Sequence, residues 1–198
     1  MCDHLSMTSI QTLSETDRRT IARWAVACAG RVLPLVDADA EARAEIADAL
    51  ARAREYSRGR STSAEEIKRR LVAVKAAKSA TNPAGAAAAR AVGQAAAVAH
   101  MGAHALGAAA YSVKAVALAH PGDPQAVESE IEWQLEQLTE EERAVLRQLP
   151  PLGADTSGPL GPGLLTSGIL GTTIRRIQEH IGAAGAQDTT GSGASADL

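Results

Sequence analysis

Residues 84–119 constrain the fold most strongly. Eighteen of these 36 residues are alanine, and from Ala91 to Val113 there is no Asp, Glu, Lys or Arg. Alanine is the best helix former, whereas strands draw on aromatic and β-branched side chains. Aromatic residues make up only 2% of the chain and Phe is absent. Small side chains also let helices approach closely. The segment therefore predicts an all-α, alanine-rich helical bundle. As one unbroken helix it would be about 54 Å long at 1.5 Å per residue. That is long for a small domain, so a bend or break near Gly102 or Gly107 is expected.

About 20 apolar residues can span a bilayer, so the uncharged stretch needs that test. It carries Gln94, His100, His104 and Ser112, and alanine drives insertion weakly compared with leucine or isoleucine. A buried central helix is the expectation, with no membrane partner. The first twenty residues lack the apolar core of a signal peptide. Cys2 and Cys28 read as reduced thiols rather than a disulfide scaffold, and the expected location is cytoplasmic. The net charge of -3 lacks the basic excess of a nucleic-acid binder.

Helix signals divide the chain. Residues 1–13 read as a flexible lead. Ser14 with Asp17 resembles a capping box, opening a helix whose apolar face holds Ile21, Trp24, Cys28 and Val32 until Pro34 kinks or ends it. A second helix is expected over about 39–57, stopped by Gly59. Ser63 with Glu66 predicts a third, with Ile67, Leu71 and Val74 inside and Lys68, Arg69, Arg70, Lys75 and Lys78 on a solvated outer face. Asp123 with Pro124 at the first position opens another, and Thr139 with Glu142 caps a short one. The expected domain is a bundle over 14–149, followed by a Gly/Pro linker at 150–163. An amphipathic helix at 164–182, with Leu165, Ile169, Ile174, Ile177 and Ile181 apolar, precedes a disordered tail at 183–198.

Two features could carry function. Arg90, Gly93, Ala97, His100, His104, Gly107, Tyr111 and Lys114 recur at steps of three or four, which places them along one side of a continuous helix. Such polar groups must be paired or hydrated. They could hydrogen-bond to neighbouring helices. They could form a ligand-binding or catalytic pocket, with His100 or His104 moving protons, Tyr111 and Lys114 donating, and Trp24 and Arg31 supplying a wall and a charge. Or the two histidines could share a metal, but no third ligand stands nearby, so no metal site and no cofactor is expected. The second feature is acidic: Glu128, Glu130, Glu132, Glu136 and Glu140–Glu142 occur without an intervening Lys or Arg, and Trp133 sits among them. This is either a solvated helix pair or a docking face built on Glu128, Glu132, Trp133 and Glu136. No phosphate loop, zinc-finger spacing or nucleophile elbow occurs.

The run RWAVACAGRVLPLVDAD (Arg23–Asp39), followed by ARAVGQAAAVAHMGAHALGAAAYSVKAV (Ala89–Val116), resembles the helical "putative immunity protein" family of bacteria, common in actinobacteria. Its most specific pieces are Cys-Ala-x-Arg-Val-Leu-Pro-Leu and His-x3-His-x6-Tyr-x2-Lys. The resemblance covers roughly residues 14–149. It implies an all-α protein that binds and blocks a toxin protein without catalysis, and it carries over no catalytic residues. Residues 152–198 depart from it, as a lid, a docking element or a helix for homo-oligomer formation. The leading expectation is an immunity-type binder. The alternative is a small-molecule enzyme or self-resistance protein using the His/Tyr/Lys stripe. A structural or assembly role is the third reading.

Overall fold

The computed structural model describes residues 9–68 and 77–190, and these hold no strand. The helices are α1 (Glu15–Val32), α2 (Ala40–Ser57), α3 (63–68), α4 (Pro83–Ala97), α5 (His104–Ala119), α6 (Pro124–Glu136), α7 (Glu140–Leu146) and α8 (Gly168–Thr190). The chain is all-α, as its composition predicts.

Most helices start where a short polar side chain can take the first free backbone N–H groups. The Ser14 hydroxyl accepts from Asp17 N at 3.1 Å, Asp39 from Ala42 N at 2.8 Å, Asn82 from Gly85 N at 2.7 Å and Asp123 from Ala126 N at 3.1 Å. Thr139 and Glu142 form a reciprocal capping box. The start of α3 corrects the expectation by one residue. Thr62, not Ser63, is the cap, exchanging backbone and side-chain bonds with Glu65. This shift turns Ser63 and Glu66 inward. Ser63 meets the Tyr56 hydroxyl at 3.2 Å, and buried Glu66 accepts from Arg52 at 3.1 Å. Lys68 and Lys78 are exposed, whereas Arg69, Arg70, Leu71, Val74 and Lys75 lie outside the described residues.

The alanine-rich segment breaks at 98–103, and α5 folds back along α4. What fixes the break comes from far away in sequence. The backbone N–H groups of Gly102 and Ala103 donate to Thr12 O and Gln11 O, each at 3.1 Å. Residues 9–13, expected to be a flexible lead, are therefore folded, with a 3-10 turn at Ile10–Thr12. α5 is the central helix and packs against α1, α4, α6 and α8. Its neighbours come close because its side chains are small. A Cβ on Gly107 would lie 2.3 Å from Gln94 Oε1 of α4.

The Gly/Pro stretch is better ordered than a linker. Leu160 is fully buried, and its N–H donates to Gln11 Oε1 at 2.9 Å. The same amide's Nε2 donates to Asp155 at 2.6 Å and to Ser157 O at 2.7 Å. α8 starts later than expected and runs to Thr190, into the stretch expected to be a disordered tail. Leu170, Ile174, Ile177 and Ile181 are buried where α8 packs on α5. The apolar face expected to serve a homo-oligomer is thus used within the chain.

Gly85 offers a direct test of this packing. A Cβ there would lie 2.8 Å from Asp37 N and 2.9 Å from Leu35 O, backbone atoms that cannot rotate away. Gly85→Ala is expected to destabilise the protein by about 1–3 kcal/mol in urea melts. Gly182→Ala, in the open on α8, is expected to stabilise by a few tenths of a kcal/mol, up to about 1 kcal/mol.

Candidate functional site

The break at 98–103 divides the polar stripe, so its residues do not form one line. Arg90 is exposed on α4, and His100 is exposed in the turn. His104 opens α5 with Nδ1 2.8 Å from Gln94 Oε1. Tyr111 is buried and Lys114 half-buried. Burial pushes the Tyr111 hydroxyl above its usual pKa, partly offset by the Arg90 charge, which makes it a weak acid at neutral pH. Trp24, expected as a pocket wall, is fully buried and donates its indole N–H to Gln134 O at 2.8 Å. Among the described residues, no group of three His, Cys, Asp or Glu side chains is placed to hold a metal ion.

The polar chemistry concentrates instead between α1 and the α6–α7 pair. Arg23 and Arg31 are eight residues apart on α1, hence on the same side of it. Arg31 Nε donates to Glu130 Oε2 at 2.6 Å, and its guanidinium stacks over the Trp133 ring at 4.5 Å. Glu130 is buried and accepts a second bond from Gln134 Nε2 at 2.9 Å. Gln134 also donates to Ala109 O of α5 at 3.2 Å. Arg23 holds both oxygens of buried Glu142 and donates to Gln137 O at 2.8 Å. Glu142 in turn accepts from Thr139 N at 2.8 Å, so one carboxylate caps α7 and ties it to α1.

The acidic run is therefore two populations. Glu130 and Glu142 face inward against arginines. Glu128 pairs with Arg176 of α8 at 2.6 Å, and that contact holds its pKa below the usual carboxylate range. Glu132 and Glu136 are exposed, one helical turn apart, with half-buried Trp133 between them. Of the expected docking residues, Glu132, Trp133 and Glu136 share the open side of α6, and Arg31 stiffens it through Trp133. Reading the sequence alone misses Arg23, Gln134 and Gln11 as organising residues. The available signal was Arg23 and Arg31 recurring on a helix otherwise patterned for burial. Nothing local marks Gln11.

A family model described as "Imm-5 like putative immunity protein" matches residues 11–141. No curated protein and no solved structure matches the chain. The match begins at Gln11 and reaches into α7, so it takes in the α1–α6 frame. It leaves out residues 150–163 and α8.

Two outcomes follow from this geometry. Arg23→Ala leaves the buried Glu142 carboxylate without its half-exposed cation but with its Thr139 bonds, and is expected to cost about 1–3 kcal/mol, or roughly 2–12 °C in thermal midpoint. Cys28 is fully buried, and its thiol pKa is pushed well up by burial and by the charges of Glu130 and Glu142. In a Cys2→Ser background, Cys28 should react with a thiol reagent only as fast as the protein opens. Rapid labelling of the native state would contradict the packing of α1.

Proposed function

The chain belongs to the Imm-5 like putative immunity protein family, and from that premise we propose that it binds and neutralises a toxic protein by occupying it, without chemistry. The binding surface is the outer face of α6. The observation that supports this reading is Trp133, held by the Arg31 stack between the exposed carboxylates of Glu132 and Glu136.

An aromatic fixed before binding contributes contact area at little entropic cost, and aromatic side chains dominate interface energetics. The flanking carboxylates select a basic partner surface and speed its approach. Arg176 holds Glu128 at the edge of the same face. Among the described residues, no helix is long and apolar enough to cross a membrane. The proposed place of action is the cytoplasm, where a self-directed toxin would do its harm.

The alternative, a catalytic pocket built on His100, His104, Tyr111 and Lys114, draws less support. Tyr111 is buried, His100 lies in the exposed turn, and His104 is engaged with Gln94.

The test begins by co-expressing the chain with toxin domains from its chromosomal neighbourhood. The domain whose lethality it relieves is then titrated in a calorimeter. Glu132→Lys/Glu136→Lys and Trp133→Ala are each expected to weaken binding by 30-fold or more, about 2 kcal/mol. His100→Ala should bind as wild type does. Undiminished affinity in both α6 variants would overturn the reading.

A further inference from the structure

A second feature lies on the other side of the α1–α7 contact. α1, α2 and the first turn of α7 border an open cleft of about 630 Å³, within the range of small-molecule sites. Two arginine pairs line it, Arg19 with Arg23 on α1 and Arg54 with Arg58 on α2. Within each pair the residues are four apart, so the like charges stand one above the other on the helix. That arrangement weakens a helix unless an anion answers it.

The α1 pair is answered within the chain. Arg19 meets Glu15 at 2.7 Å, and Arg23 holds Glu142. The α2 pair is not. Among the described residues, the Arg54 guanidinium has no hydrogen bond and no ion pair. Arg58 makes one 3.1 Å contact with Glu55, which also serves Arg60 at 3.1 Å. The remaining carboxylate of the lining, Glu141, is exposed. A gathering of guanidinium groups runs against the chain's net charge of -3, and Arg54 and Arg58 are exposed at the C-terminal end of α2.

We propose that this cleft binds a small organic polyanion, a molecule carrying two or more phosphate or carboxylate groups. Arg54 and Arg58 present planar forks suited to bidentate bonds with either group. Arg19 and Arg23, already paired with Glu15 and Glu142, form the facing wall. Glu142 on Arg23 shows a guanidinium of this lining holding a carboxylate, while the exposed Glu141 opposes an anion near α7 and leaves the α2 side as the place for it. The site is separate from the α6 face and does not depend on the toxin-binding reading.

The test is calorimetric titration of the full chain at low ionic strength, where the arginine field is least screened, with pyrophosphate and citrate as probes. At least one is expected to bind one-to-one with a Kd of about 1 mM or tighter. Arg54→Ala/Arg58→Ala should weaken binding at least tenfold, and so should Arg54→Gln/Arg58→Gln. Arg90→Ala, an exposed arginine on α4, should leave it unchanged. Binding of pyrophosphate alone identifies a phosphorylated ligand, and of citrate alone a polycarboxylate. Binding of both assigns the site to polyanions in general. No binding of either probe, or equal binding by wild type and both α2 variants, would overturn the proposal.

Discussion

Everything in this molecule is arranged around the close approach of α5 to its neighbours. Ten of its sixteen residues are buried, and five of those ten are alanine. Each small side chain removes little apolar area from water, so the core gains its cohesion from density rather than from bulky groups. That works only if the helices stay close. It leaves little room for a loose polar group, and polar side chains that enter against α5 make hydrogen bonds, although Gln134 Oε1 is buried without a partner among the described residues. Ser112 returns its hydroxyl to Ala108 O at 2.9 Å, His104 meets Gln94, and Gln134 reaches Ala109 O. The helix break that lets α5 fold back on α4 is held by Gln11 and Thr12.

A core of this kind has little to spare for fixing the outer helices, and electrostatics takes over that task. α1 reaches across to α6 and α7 with Arg31, Trp24 and Arg23, each bonded to a group on the other side. Ion pairs between a half-exposed arginine and a buried carboxylate are not efficient sources of stability, but they specify position. Here they set the rotation of α6, which turns Glu130 inward and leaves Glu132, Trp133 and Glu136 facing out. α8, outside the region matched by the family, closes the far side of α5 with Leu170, Ile174 and Ile177 and holds α6 through Arg176.

Several helix starts were legible in the sequence because capping is local, though those of α3 and α8 were misplaced by a few residues. Ser14, Asp39, Asp123 and Thr139 all cap as their neighbours imply. The break near Gly102 was legible too, from the excessive length of an unbroken helix. The reversal was not. Steps of three and four run on through the turn from Ala97 to His104, so periodicity alone cannot register that the chain has changed direction. The acidic run misled for a different reason. Glu130 and Glu142 look like their neighbours until their partners arrive, from 99 and 119 residues away. Gln11 is the extreme case, a polar residue near one end of the chain that is buried by contacts 144–149 residues distant.

The account's central claim is that α1 presents α6 as a preformed face for a toxic protein. Hydrogen–deuterium exchange on the chain, alone and with the toxin whose lethality it relieves, tests this most directly. In the free protein, α6 should exchange slowly, as a helix fixed by Arg31 and Gln134. On adding toxin, further protection should appear over residues 128–140 and not over the turn at 98–103. Protection of the turn and of α5 with no change on α6 would contradict the account and move the interface to the histidines.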